Sequence, residues 1–414
     1  MFMSIVNNMN ATPVSERLHI AIFGRRNAGK STLINALTGQ ELAVVSAVPG
    51  TTTDPVHKTM ELLPLGPVVI IDTAGFDDVG ELGALRTEKT YDILRRTNIA
   101  VLVLNSQEGL GDDERYFIEQ AQKRQLPVVA VFNKCDLAEP KTEDIEELAR
   151  RRIPMVKASA GQKEGIEELK QALIALKPAD NEGISIVSDL VESGDIAVLV
   201  TPIDESAPKG RLILPQQQTI RDLLDKDCIA MVTKENTLSQ TLASLGRKPA
   251  VVITDSQVFK KAAQDTPEDI PLTSFSILFA RYKGELTQLL RGVKGIEQLK
   301  AGDTVLIVEG CTHHCQADDI GKVKIPRWLT QAVDGEIHFE WCHGTQFPQD
   351  LSSYALIIHC GACMLNKQEM QYRLRYAEEM GVPITNYGMF IAHIQGILPR
   401  ALASFPEAAA ILAE

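Results

Sequence analysis

The chain has 414 residues, 44% of them hydrophobic and 23% charged, the composition of an ordinary globular protein and not of a disordered or fibrous one. Its formal net charge of −12, from 54 acidic and 42 basic residues, argues against a protein that grips nucleic acid or an anionic membrane through its surface as a whole. The apolar runs stay well short of the ~18 residues that a membrane span needs. The N-terminal stretch MFMSIVNNMNATPVSE has no basic region leading into an apolar core, so no signal peptide is expected. Seven cysteines, five of them between Cys311 and Cys363, predict a cytoplasmic protein with clustered thiols used for a metal.

In chain order, short apolar runs alternate with amphipathic stretches. Leu18–Phe23, Val68–Ile71, Ala100–Leu104 and Val128–Phe132 read as buried strands, with a helix over Gly165–Lys177. This alternation predicts a parallel sheet covered on both faces. Lys177–Gly183 reads as a linker. A second unit follows, with strands at Ile196–Val200, Ile229–Val232 and Val251–Thr254 and helices capped by Asn236 and Ser256. The polar, proline-flanked Gln264–Pro271 marks a second boundary. A third unit carries strands at Val305–Glu309, Ile337–Trp341, Ala355–His359 and Pro383–Thr385, and a helix over Gln368–Met380. The expected class is therefore α/β: a phosphate-binding domain over 1–180, a small α/β middle domain over 184–265 and a C-terminal α/β metal-cluster domain over 269–414.

The first candidate site lies at the N-terminal end. Gly24-Arg25-Arg26-Asn27-Ala28-Gly29-Lys30-Ser31 fits the G-x-x-x-x-G-K-[ST] pattern directly after a predicted strand and at the start of a helix that continues through Thr32. In this P-loop, backbone N–H groups and the helix dipole cradle phosphate, Lys30 reaches the terminal phosphates and Ser31 offers an oxygen to Mg²⁺. Asp72-Thr73-Ala74-Gly75 then supplies a carboxylate for Mg²⁺ and a glycine that senses the γ-phosphate. Asn133-Lys134-Cys135-Asp136 resembles the guanine-reading motif of the small G-domain family, and Ser159-Ala160 resembles that family's fifth motif. Within Pro49–Asp54, Thr52 is the expected Mg²⁺-binding threonine of switch I. Phe76 stands where many G proteins carry a water-orienting glutamine, which an apolar side chain cannot replace. Asn27 matches an asparagine that, in GTPases resembling those of tRNA modification and ribosome assembly, coordinates K⁺; it also suits a loop position with an unusual backbone angle. The expected activity is slow, K⁺-stimulated GTP hydrolysis, with Asn27, Lys30, Thr52 and Gly75 as the catalytic set.

The second candidate site lies at the C-terminal end. Cys311-Thr312-His313-His314-Cys315 follows one predicted strand, and His359-Cys360-Gly361-Ala362-Cys363 ends another. In an open α/β sheet ligands gather beyond the carboxyl ends of strands, so Cys311, Cys360 and Cys363 are expected on one rim. Cys360 and Cys363 at C-x-x-C spacing chelate from one turn, with Gly361 permitting the tight backbone. An iron–sulfur cluster and a structural zinc both fit these residues; a redox dithiol fits less well, lacking a helix-opening context. His314, His338 and His343, the last beside Cys342, read as surface or satisfied histidines more readily than as ligands.

A G domain followed by C-x-H, 45 intervening residues (His314 to Ile358) and H-C-x-x-C resembles the HydF family, the GTPases of [FeFe]-hydrogenase maturation. The resemblance implies a GTP-hydrolysing scaffold with a dimerising middle unit, a homodimer or higher homo-oligomer. It implies a [4Fe-4S] cluster on Cys311, Cys360 and Cys363, with His313, His359 or Asp318 as candidate fourth ligand and Cys315 as a departure from the family pattern. Its implied cargo is a two-iron subcluster, built with two radical-SAM maturases and handed to apo-[FeFe]-hydrogenase, with neither nucleic acid nor membrane as a partner. The competing expectation is a ribosome- or tRNA-maturation GTPase with a structural zinc site.

Overall fold

The computed structural model describes residues 12–39, 56–73, 75, 92–178, 184–202, 212–310, 319–333 and 335–413. They fall into two compact units, Met1–Asp180 and Asn181–Glu414.

In the first unit the strands are β1 (Leu18–Phe23), β2 (Val56–Leu62), β3 (Gly66–Asp72), β4 (Ile99–Asn105), β5 (Val128–Asn133) and β6 (Met155–Lys157). The helices are α1 (Lys30–Thr38), α2 (Asp112–Lys123), α3 (Thr142–Arg150) and α4 (Ile166–Leu176). Successive side chains of a strand face opposite ways, and here both faces are buried. Ile20, Ile22, Val68 and Ile70 join one apolar cluster, whereas Ala21, Phe23, Val69 and Ile71 join another. The α4 stripe Ile166, Leu169 and Leu173 closes the first cluster. Among the described residues the strand order is β2-β3-β1-β4-β5-β6. The sheet is not wholly parallel, as the sequence predicts, because β2 runs antiparallel to β3 with Val56 opposite Asp72 and Leu62 opposite Gly66. This edge strand is wet on one face, with His57, Thr59 and Glu61 exposed, so it lacks the apolar run that marks the buried strands. The carboxyl ends of β1, β3 and β5 carry Gly24, Asp72 and Asn133 to one rim.

The second unit contains two all-parallel sheets. The first has β7 (Ile196–Val200), β8 (Ile229–Thr233), β9 (Val251–Thr254) and β10 (Leu272–Ser274) in the order β10-β9-β7-β8. The second has β11 (Thr304–Glu309), β12 (His338–His343), β13 (Leu356–His359) and β14 (Ile384–Asn386) in the order β12-β11-β13-β14. One apolar core runs from Ile186 to Ile411 through both sheets. Helices α5 (Leu214–Asp225), α6 (Leu238–Ser244) and α7 (Phe259–Asp265) belong with the first sheet; α8 (Phe275–Lys283) and α9 (Leu286–Glu297) lead to the second. Leu272–Ser274, which a boundary at 269 assigns to the third unit, pairs with β9 in the middle sheet. Three residues, two of them polar, give too short a pattern for the sequence to register as a strand. The caps also differ from those predicted: Thr237, not Asn236, precedes α6, and Asp255 accepts from the Gln257 N–H to start the turn at Ser256. Gly292 and Gly295 bring α9 close to β14, since a Cβ on Gly292 would run into the Ile384 carbonyl.

Arg281 on α8 fastens the start of this unit. Its guanidinium meets both carboxylate oxygens of Asp189 at 2.6 and 2.7 Å, donates to the carbonyls of Ser185 and Ile186, and lies 5.3 Å from the Phe405 ring centroid. Burial disfavours the Asp189 carboxylate, but hydrogen bonds from Arg281 and Ser185 outweigh it and hold the carboxyl below its ordinary range. The pair therefore stabilises the fold fully above pH ~4 and loses its contribution as pH falls through the lowered folded-state value. Arg281→Met is expected to cost about 1–3 kcal/mol at neutral pH. Urea titrations should show the gap between variant and wild type narrowing from pH ~5 toward ~2.5, and a constant gap would contradict the assignment.

Candidate functional site

The phosphate-binding loop is built by backbone constraint. Gly24 and Gly29 hold φ of +145° and +93°; a Cβ on the first would strike the Val103 carbonyl and on the second the Asn133 amide. Only glycine meets both demands. Asn27 lies at φ +59°, the left-handed region that asparagine tolerates, so its backbone alone accounts for its residue type. Lys30 Nζ donates to the carbonyls of Gly24 (2.9 Å) and Arg25 (2.8 Å), lying across the mouth of the loop. Ser31 Oγ donates to Asp72 Oδ2 at 3.1 Å, so the two residues expected at Mg²⁺ are brought together across β1 and β3. Burial raises the Asp72 carboxyl above its ordinary value, opposed by the Ser31 hydrogen bond and the Lys30 charge. The Arg25 side chain turns aside to Glu114 on α2, at 2.9 Å; Arg26 and Thr32 are exposed, and Ala28 is buried.

Asn133 is the keystone of the base-reading end. It is 2% exposed; its Nδ2 donates to Ala28 O at 2.9 Å and its Oδ1 accepts from the Ala160 N–H at 3.0 Å. One side chain thus ties the phosphate loop to the Ser159-Ala160 loop. Ser159 Oγ donates to Asp136 Oδ1 at 2.7 Å and so orients the exposed carboxylate, while Lys134 holds a left-handed backbone at φ +63°. Thr73 Oγ1 donates to Ile22 O, and Gly75 follows at the half-buried edge of the site. Thr52, Ala74 and Phe76 lie outside the described residues.

At the other end, parallel register fixes the rim. Val308 on β11 pairs with Cys342 on β12 and with His359 on β13. Beyond the strands, the Cys360 N–H donates to Val308 O at 2.8 Å, and the Gly310 N–H donates to Cys360 Sγ at 3.0 Å. The residue immediately before Cys311 therefore touches the sulfur of the C-x-x-C motif. Cys311, His313, Cys315 and Asp318 themselves lie outside the described residues, and among the described ones no three His, Cys, Asp or Glu side chains converge on a single ion. Burial, then the neighbouring Cys363, pushes the Cys360 thiol up to about 11, opposed by the Gly310 N–H; burial also raises Cys363. The C-x-x-C turn is made by Ala362, at φ +53°, and not by Gly361, whose φ is not left-handed. Two half-buried cysteines at one turn, one of them already accepting a backbone N–H, suit a soft metal centre.

Behind this turn stand buried charges. Lys283, 1% exposed, donates to the carbonyls of Cys363 (3.1 Å) and Leu365 (3.0 Å). Arg373, fully buried, pairs with Glu369 at 2.8 Å, donates to Gly344 O and sits 5.1 Å from the Phe347 ring centroid. Its Nη1 lies 3.0 Å from His359 Nε2. A guanidinium only donates, so Nε2 accepts and Nδ1 carries the proton given to Cys360 O at 2.8 Å. Burial, then the Arg373 charge, holds this imidazole neutral, with its value lowered to about 3. Both ring nitrogens of His359 are thus committed, and ligation through Nε2 would require loss of the Arg373 bond. None of Lys283, Glu369 or Arg373 belongs to a recognisable motif; each is a charged residue in a helical pattern, and only the fold reveals that it is buried.

Three family models match the chain. Residues 19–134 match a family described as 50S ribosome-binding GTPase, 186–284 the hydrogen maturase F dimerization domain, and 287–404 the hydrogen maturase F tetramerization domain. Among curated proteins, the tRNA modification GTPase MnmE of Chromobacterium violaceum is 35% identical over 162 residues, 39% of this chain and 35% of its own. GTPase Der of Kosmotoga olearia is 33% identical over 170 residues, 38% of each. The chain thus matches little more than a third of the length of these relatives. Among solved structures, Aquifex aeolicus Era bound to GDP·AlF4⁻ is 19% identical with a TM-score of 0.36, covering 55% of this chain and 98% of that one. Motifs, fold and matches define a GTPase domain of the P-loop class joined to further α/β domains. The chain belongs to the hydrogen maturase F (HydF) family, whose two characteristic domains together occupy most of the second unit.

Asn133→Ala removes both buried hydrogen bonds that hold the phosphate loop against the base-reading loop. At about 1–1.5 kcal/mol each, GTP affinity should fall ~30–150-fold by calorimetric titration, and unchanged affinity would show that the loops hold without it.

Proposed function

We propose that the protein is a GTP-hydrolysing scaffold that assembles a two-iron subcluster and delivers it to apo-[FeFe]-hydrogenase, working with two radical-SAM maturases. The observation that supports the reading is the Gly310 N–H to Cys360 Sγ contact, which sets the residue before Cys311 against the C-x-x-C motif within a hydrogen maturase F domain. Cys311, Cys360 and Cys363 would hold a [4Fe-4S] cluster, which when bound offers an iron with an exchangeable position for cargo. Cys360 Sγ receives the Gly310 N–H, which favours the thiolate; Lys283 fixes the carbonyl side of the Cys363 turn.

In the GTPase domain, Lys30 would neutralise the terminal phosphates, Ser31, Asp72 and Thr52 would serve Mg²⁺, and Asp136 would read guanine. Asn27 would coordinate K⁺, placing a cation where other GTPases use an arginine finger. Hydrolysis does no covalent chemistry on iron, so its part is conformational: GTP biases partner binding through the segments around Thr52 and Gly75. The protein would act in the cytoplasm as a homo-oligomer. Self-association is supported by the edge strand β8, where Ile229 and Val232 are 48% and 43% exposed. A tRNA or ribosome role rests on relatives that this chain matches over less than half of their own length, and no observation in the second unit favours it.

The test is metal content after anaerobic reconstitution of the full chain. About four irons per chain are expected, lost in Cys311→Ser, Cys360→Ser and Cys363→Ser, with GTP turnover several-fold faster in K⁺ than in Na⁺. A colourless protein holding one zinc per chain would overturn the scaffold reading, and equal turnover in the two salts would overturn the K⁺ assignment.

A further inference from the structure

The pattern G-x-x-x-x-G-K-[ST] leaves the residue after its first glycine free to vary. Here that residue, Arg25, is built into the fold. Its Nη2 meets Glu114 Oε2 at 2.9 Å, and its Nη1 lies 4.0 Å from Glu108 Oε2. Glu114 is 2% exposed, and Oε2 accepts a second hydrogen bond, at 3.0 Å, from the Gly111 N–H at the start of α2. Burial raises the Glu114 carboxyl above its ordinary value, and the Arg25 charge is the chief opposing influence.

Gly111 shows how closely the guanidinium is seated. Its backbone is extended, at φ −110°, which any residue adopts, so conformation does not demand a glycine there. Space does: a Cβ would overlap Arg25 Nη2 and lie 2.7 Å from Cζ. The loop between β4 and α2 is fixed in turn. Asn105 Nδ2 donates to Glu108 Oε1 at 2.7 Å, Lys141 Nζ to Glu108 O at 2.8 Å, and the Leu110 N–H to Asp144 Oδ2 at 3.1 Å. Lys141 and Asp144 stand at the start of α3, the helix that follows the base-reading motif. The phosphate loop is therefore braced twice, by Asn133 on one side and by Arg25 on the other.

We propose that Arg25 is a positioning residue for nucleotide binding, a strut that holds the first turn of the phosphate loop in its binding shape through Glu114. Lys30 also holds the carbonyls of Gly24 and Arg25, but a lysine that turns to the terminal phosphates gives up those bonds. The Arg25–Glu114 pair uses no group that phosphate needs, so it persists through binding and turnover. The same seating argues against Arg25 as an arginine finger, because its departure would leave a buried carboxylate without its cation. A brace of this kind acts equally on the bound substrate and on the transition state, so its loss raises KM and leaves kcat nearly as it was. This role belongs to the GTPase domain and does not depend on the iron–sulfur reading.

The test is calorimetric titration of the full chain with GDP and with the non-hydrolysable analogue GppNHp, alongside steady-state GTP turnover. Arg25→Met should weaken both nucleotides by the same factor, ~10–100-fold, and raise KM alike, while kcat stays within ~2-fold. Arg25→Lys, which keeps a cation for Glu114, should recover part of that affinity. Gly111→Ala keeps every charge but fills the seat of the guanidinium, and should reproduce the loss. Adding Glu114→Gln to Arg25→Met should change affinity less than ~2-fold further, because the pair is already broken. Wild-type affinity in Arg25→Met or in Gly111→Ala would overturn the proposal. So would a kcat lower by ~10-fold or more at unchanged affinity, the signature of a side chain that reaches the transferring phosphate. If the methionine variant does not fold, the Gly111→Ala titration decides alone.

Discussion

One backbone N–H, that of Gly310, reaches the sulfur of Cys360 at 3.0 Å, and everything proposed for the second unit depends on it. The contact follows from strand register. Parallel pairing of β11 with β13 sets Val308 beside His359, so the next residues of both strands must leave the sheet side by side. The residue that precedes the first cysteine motif is thereby held against the sulfur of the second. A hydrogen bond to sulfur also lowers the cost of a thiolate in a site where burial, then the neighbouring Cys363, pushes the Cys360 thiol up to about 11.

The surroundings divide into a fixed side and an open side. On the fixed side Lys283, Arg373, Glu369 and His359 are all buried and hydrogen-bonded to the backbone or to each other. Buried charges cost desolvation free energy and are tolerated only when fully partnered, so such a set is a device for rigidity more than for stability. On the open side stand His343 and Trp341, both partly exposed.

Much of this was legible before any coordinates. The phosphate loop and the base-reading motif announce themselves because their glycines and polar residues are dictated by backbone geometry and by ligand chemistry, and both recur at fixed spacing. Buried strands such as Leu18–Phe23 and Ile196–Val200 were legible to the residue, since an unbroken apolar run bounded by polar or turn residues has few other uses. What stayed hidden was whatever depends on pairing across long distances. The double role of Asn133, the burial of Lys283 and Arg373, and the Glu309–His343 contact involve residues that look like ordinary surface polar groups in isolation. The edge strand β2 and the short β10 failed to show for a different reason: one is half solvated and the other too short to display a period. In the thiol turn the glycine misled, because the left-handed residue is Ala362 and not its neighbour Gly361.

The central claim is that the two cysteine motifs hold a single iron-containing core. The most direct measurement is anomalous diffraction at the iron and zinc edges from crystals of the anaerobically reconstituted protein. The account predicts an iron peak beyond the carboxyl ends of β11 and β13, within bonding distance of the sulfurs of Cys311, Cys360 and Cys363. A zinc peak in that place, or iron bound there without the Cys311 sulfur, would contradict it.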